Sequence, residues 1–110
     1  MAREKTDLLL GTLDLIVLRL LQAGPANGWQ VTQNIQLVSK GALEVNYGSV
    51  YPALRRLETA GYVTAKWSAS ENNRRARYYE LTAAGRKQLA AEKAQWSKFV
   101  RTLDLILEAD

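Results

Sequence analysis

From Thr82 onward the chain reads as one long helix, to about Glu108, with Thr82 as its cap. Leu89, Trp96, Phe99, Val100, Leu103, Ile106 and Leu107 fall on one stripe of that helix, roughly 120° wide. No later element in these 110 residues exists to cover the stripe. It must pack on the chain's first helix, on a second copy, or on both. The first helix, about Thr6 to Gln22, poses the same problem. Leu9, Leu13, Ile16, Val17, Leu20 and Leu21 form one apolar face, while Leu8, Leu15 and Leu18 lie on the opposite side. A small monomer rarely covers both, so these two helices point to a homodimer, with Leu8 and Leu15 joining the last-helix stripe at the interface.

Between them the punctuation is clear. Gly24-Pro25 ends the first helix, and Asn27 with Gln30 three residues on has the spacing of a capping box. The second helix then runs to about Lys40, with Gly41 past its end; Val31, Ile35 and Val38 face in, and Gln30, Gln33, Asn34 and Leu37 face out. Leu43 to Val45 is a short extended piece. Asn46 caps a third helix, about Tyr47 to Ala60, with Val50, Leu54 and Leu57 inward and Ser49, Pro52, Arg55, Arg56 and Thr59 outward. Pro52 predicts a kink or a later helix start. Tyr62 to Ser68 and Ala76 to Leu81 alternate as strands of a hairpin, with Val63, Ala65 and Trp67 on one side of the first and Tyr79 and Leu81 on one side of the second.

Helix, helix, helix, hairpin and helix is the order of a winged helix-turn-helix: an α+β fold, mostly α, with N-terminal and long C-terminal dimerisation helices. Residues 1–81 would form the DNA-binding domain and residues 82–110 the dimerisation helix. The charge agrees with this. The chain has fifteen Lys and Arg against eleven Asp and Glu. Lys66, Arg74, Arg75 and Arg77 cluster in the hairpin against Glu71 alone, and Arg55 and Arg56 lie on the exposed side of the third helix. Those are the two elements that such a fold turns toward double-stranded DNA, where phosphates favour clustered cations. There is no His and no Cys, which removes thiol chemistry, His bases and Cys or His metal sites, and no pair of carboxylates has a spacing suited to acid–base work. An enzyme, a metal and a cofactor are therefore not expected. The apolar run Leu8 to Ala23 is interrupted by Asp14 and Arg19 and is too short to span a bilayer, so no membrane is implied and a cytoplasmic protein is expected.

Three runs carry a family resemblance. GTLDLIVLRLLQAGPANGWQV, YGSVYPALRRLETAGYV and RRARYYELTAAGRKQL, spanning about Leu10 to Ala91, resemble the opening helix, recognition helix and wing of the PadR family of bacterial transcriptional regulators. The resemblance implies a homodimeric winged-helix regulator, usually a repressor, that responds to a small molecule. Asn27-Gly28-Trp29 stands where the family often has His-Gly-Tyr, and Trp29 is expected in the core as that Tyr would be.

The candidate DNA contacts are Ser49, Tyr51, Pro52, Arg55 and Arg56 on the recognition helix, Arg74, Arg75 and Arg77 on the wing, and Gln33 and Asn34 on the second helix. Two alternatives stand: Tyr51 either reads DNA or packs under the wing, and Arg77 either reaches DNA or lies along the protein. Gln30, Gln33 and Asn34 could equally be a solvated face. Trp96 with Glu92 is the candidate effector site. Facing copies of Trp96 across a two-fold axis would make a slot for a flat aromatic ligand, or simply an aromatic dimer core. Glu92 on the same stripe needs a partner, from a basic residue of the other copy or from a cationic ligand. The leading reading is a homodimeric repressor of a palindromic operator, released by a small aromatic effector. The alternative is a winged helix used only for protein–protein contact, which would lack salt-dependent duplex binding.

Overall fold

The computed structural model describes residues 2–110, with side chains from Thr12 onward. The elements are α1 (Ala2–Leu21), β1 (Ala26–Asn27), α2 (Gly28–Val38), α3 (Tyr47–Thr59), β2 (Val63–Ala69), β3 (Arg75–Leu81) and α4 (Ala83–Leu107). Four helices thus surround a small antiparallel sheet of order β1-β3-β2. The side chains of Leu8 and Leu9, given opposite faces of the first helix above, lie outside the described residues.

Each helix start is written locally. Asn27 and Gln30 form the full capping box: the Gln30 N–H donates to Asn27 Oδ1 at 2.8 Å, and the Asn27 N–H donates to Gln30 Oε1 at 2.9 Å. Asn46 caps α3 by accepting from the Ser49 N–H at 3.0 Å. Thr82 serves two neighbours, accepting from the Gly85 N–H at 3.0 Å and donating to the Gly61 carbonyl at 2.7 Å. Gly61, at φ +82°, is the left-handed residue that ends α3 and turns the chain into β2.

The core is one cluster at the meeting of all four helices and the sheet: Leu13, Val17, Leu18 and Leu21 of α1, Val31 and Ile35 of α2, Val50, Leu54 and Leu57 of α3, then Val63, Tyr79, Leu81 and Leu89. Leu18 corrects the expectation, since it is fully buried. It lies three residues from Leu21 and so shares that residue's side of the helix, which makes the buried face of α1 broader than one stripe. Val38 is exposed rather than inward. It continues the Val31–Ile35 stripe, but at the last turn of α2, at the rim of an open hollow.

Trp29 is the larger correction: it is 62% exposed, not core. It stands two residues before buried Val31, and two residues carry a helix through about 200°, to the far side. Pro52 does not delay or break α3, which begins at Tyr47 and continues through it. Its fixed φ suits a helix, and the one bond it removes would have gone to the carbonyl of Gly48, an exposed residue. β1 was not anticipated at all. Its two residues pair with β3, Ala26 opposite Tyr79 and Asn27 opposite Tyr78. That pairing fixes the N-terminus of α2 beside the hairpin.

In the wing, β2 and β3 pair from Val63 opposite Leu81 to Ala69 opposite Arg75. The near end is buried and the far end runs beyond the core. Trp67 therefore keeps the phase of Val63 and Ala65 yet is 58% exposed. The tip is closed by the Ser70 N–H donating to the Arg74 carbonyl at 2.7 Å, with Asn73 at φ +60°.

Candidate nucleic-acid interface

α3 and the wing place most of their cations on exposed surface. Arg55, Arg74 and Arg75 are exposed, as is Pro52, while Ser49 is half-buried in the first turn of α3. Arg55 Nη1 donates to the Tyr51 hydroxyl at 3.1 Å, and that bond raises the Arg55 pKa above its ordinary value. The Tyr51 ring leans on Tyr47, with centroids 5.9 Å apart. Tyr51 therefore stands at the edge of α3 with its hydroxyl orienting an exposed guanidinium.

The other two arginines are engaged with the protein. Arg56 donates through Nη2 to Asp14 at 2.7 Å and through Nε at 3.4 Å, which ties α3 to α1 and holds the guanidinium above its ordinary pKa. The pair is partly solvated and is worth about 0–1 kcal/mol. Arg77 is half-buried. It lies along the protein, with Nη2 donating to Glu58 at 2.7 Å and its guanidinium 5.7 Å from the centre of the Tyr79 ring. Burial pushes the Tyr79 phenol up, against the lowering effect of Arg77. The Glu58–Arg77 bridge joins the end of α3 to β3. Arg77 Nε is buried with no hydrogen-bond partner.

On α2, Gln33 is exposed and Asn34 half-buried, whereas the Gln30 side chain belongs to the capping box. The second candidate region lies on the opposite side of the fold. Trp96 is 43% exposed and packs on Phe99 at 5.7 Å. It stands between two hollows. One, of about 420 Å³, is apolar and lined by Leu15, Ile16, Leu20, Ile35 and Val38. The other, of about 400 Å³, has Thr12, Gln88 and Glu92 on its wall. Glu92 finds its partner within its own helix, Gln88 Nε2 donating to it at 2.7 Å, rather than requiring a cation from elsewhere. Leu89 is buried in the chain's own core, so the free stripe of α4 begins at Trp96 and continues through Phe99, Val100, Leu103, Ile106 and Leu107, all exposed.

Three exposed aromatics around the starts of α2 and α3 and on the wing were not anticipated from the sequence: Trp29, Tyr47 and Trp67. Helical phase could have found Trp29. The length of β2, seven residues against a shallow core, could have found Trp67.

Comparison with known proteins agrees with the architecture. The profile described as the transcriptional regulator PadR-like family matches residues 17–91. A solved PadR family transcriptional regulator from Eggerthella lenta superposes with a TM-score of 0.82 at 26% identity, covering 99% of this chain and 93% of that one. A solved transcriptional regulator from Clostridium thermocellum superposes with a TM-score of 0.81 at 26% identity, over 89% and 95% of the two chains. An uncharacterized protein from Lysinibacillus sphaericus is 24% identical over 104 residues, 94% of this chain and 95% of its own length.

Proposed function

Because this chain belongs to the transcriptional regulator PadR-like family, a family of DNA-binding regulators rather than enzymes, we propose that it acts as a homodimeric repressor of a palindromic operator. Residues 1–81 read the DNA and residues 82–110 hold the dimer. The observation that carries the reading is the exposure of Arg55, Arg74 and Arg75 on α3 and on the wing that Glu58–Arg77 ties to it. Arg55, steadied by Tyr51, reaches a base edge or a phosphate from the major groove. Ser49 and Pro52 present a hydroxyl and an apolar surface beside it. Arg74 and Arg75 enter the adjacent minor groove or meet its phosphates. Gln33 and Asn34 add phosphate contacts from α2. Arg56 and Arg77 contribute mainly by fixing α3 and the wing. The protein works in the cytoplasm; no described helix is long and apolar enough to cross a membrane.

Duplex titrations with DNA from upstream of the protein's own gene test this. Arg55→Ala should cost about 1–3 kcal/mol on the operator and little on unrelated duplex. Arg74→Ala with Arg75→Ala should weaken binding to both and lower the slope of log K against log salt by roughly two per half-site, about four for the dimer. A wing double variant that binds like wild type at every salt concentration would remove the wing from the interface.

Release follows from the other side of the fold. An effector seated beside Trp96 contacts α1 and α4, the two helices that connect the dimer seam to both reading heads, and so favours one spacing of those heads over another. The chemistry fits a flat aromatic compound, stacked on the indole and hydrogen-bonded to Glu92. The inducer should quench Trp96 fluorescence and weaken operator binding together. A Trp96→Ala protein that still dimerises should keep DNA affinity and lose the response; an unchanged response places the effector elsewhere.

A further inference from the structure

A cleft of about 590 Å³ runs between the start of α2, the start of α3 and the wing. Trp29, Tyr47 and Trp67 stand in its wall, with Tyr51 and Arg75 at its margins. A chain that fully buries Val50 and Leu54 a few residues away leaves these rings in solvent, Tyr47 at 46% exposure and the two indoles higher still. Their positions are built. Gly28 allows the Tyr47 ring to lie against the start of α2, where any Cβ would collide with it. The Trp67 indole is held under Arg75, whose guanidinium is 5.0 Å from the ring centre. β1 keeps α2 beside β3, so the two walls hold a fixed separation.

Resting on the DNA-binding reading above, we infer that this cleft receives the sugar–phosphate backbone of one DNA strand where it passes from the groove occupied by α3 to the groove occupied by the wing. The rings pack against deoxyribose, and Arg75 meets the neighbouring phosphate. Three observations select this occupant. The cleft wall includes Tyr51, which holds Arg55, and Arg75, the neighbour of Arg74 on the wing, so a strand reaching from α3 to the wing passes over it. Its described lining holds two arginines and no carboxylate, and Glu58 already engages one of them, which leaves Arg75 for an anion. A deoxyribose phosphate is apolar on its sugar face and charged at its edge, and Tyr and Trp match that division with an apolar ring and a polar tip. The rings set where along the strand the protein sits, and so the register of the bases offered to Arg55.

The test uses labelled duplex from upstream of the gene, the wild type and two variants. Trp29→Ala removes an exposed ring without charge, so affinity should fall about ten-fold at every salt concentration. The slope of log K against log salt should stay unchanged, unlike that of a wing arginine variant. In Trp67→Phe with Trp96→Phe, Trp29 is the sole indole, and its emission should shift on duplex addition. If wild type itself fails to bind duplex, the DNA-binding reading falls and this inference with it. If wild type binds but Trp29→Ala binds equally well and the Trp29 emission is unmoved, the strand does not use the cleft and only this inference falls. Quenching of Trp29 by free acridine but not by duplex would make the cleft a small-molecule site and overturn the inference.

Discussion

Leu103→Asp should convert the protein into a folded monomer whose operator affinity falls by about 10²–10⁴-fold. Leu103 stands in the middle of the free stripe of α4, beside Phe99 and Val100 and one turn from Ile106 and Leu107. The described core ends at Leu89, so a carboxylate at Leu103 stands outside the cluster that holds the described residues together. In a symmetric dimer it appears twice at the seam, unpaired and desolvated, where it costs several kcal/mol. What it displaces is large. The stripe offers each partner several big side chains, each contributing roughly 1.5–3 kcal/mol when buried. The open hollow between α1, α2 and α4 is apolar like the stripe, walled by Leu15, Ile16 and Leu20 with Arg19 and Lys93 also lining it, and on the proposed dimer it would receive the partner's stripe. A monomer then engages one half-site at a time, and the advantage of the second head is lost. Sedimentation velocity and duplex titration on the same samples read both effects, with far-UV circular dichroism to verify the helices. A Leu103→Asp protein that remains a dimer at micromolar concentration and binds as wild type would place the interface elsewhere.

What could be read from the chain alone depended on how far apart the interacting residues are. The caps at Asn27, Asn46 and Thr82 were legible because each partner lies three residues away. So was the free stripe of α4, because periodicity within one helix is a local property. β1 was not legible: two residues carry no alternation, and their partners, Tyr78 and Tyr79, lie some fifty positions downstream. The fates of the arginines divide in the same way. Exposure on α3 and the wing followed from phase. That Asp14 would engage Arg56 across 42 residues, and Glu58 would engage Arg77 across 19, is a product of packing that no spacing rule contains. Trp29 is the instructive case. The resemblance to His-Gly-Tyr suggested a core residue, while the phase set by Val31 and Ile35 already put position 29 on the far side, and the phase was the better guide.

Gly85→Ala should cost stability although it replaces glycine inside a helix with the best helix former. On propensity alone the change favours the folded state by about 1 kcal/mol. Packing opposes it. Gly85 is buried in the first turn of α4, and a Cβ there would collide with the backbone carbonyl of Tyr62. That carbonyl cannot give way cheaply, because it accepts from the Thr82 N–H at 3.0 Å while Thr82 Oγ1 is bonded to Gly61 and capped onto Gly85 itself. The methyl group must push α4 off the turn between α3 and β2, and overpacking against backbone costs about 3 kcal/mol, the upper end of the usual range, for a net loss of about 2 kcal/mol after the propensity gain. For a domain of this size that is a fall in Tm of roughly 8–16 °C, measured at one protein concentration since dimerisation also sets Tm. Ala90, exposed on the same helix, gives the opposite sign: Ala90→Gly should lose about 1 kcal/mol by propensity alone. The close approach has a functional side. It fixes the angle at which α4 leaves the turn between α3 and β2, so on the function proposed above operator affinity in Gly85→Ala should fall further than the loss of folded protein explains. Melting of Gly85→Ala at or above the wild-type temperature, with operator affinity intact, would show that α4 does not sit on the Tyr62 carbonyl.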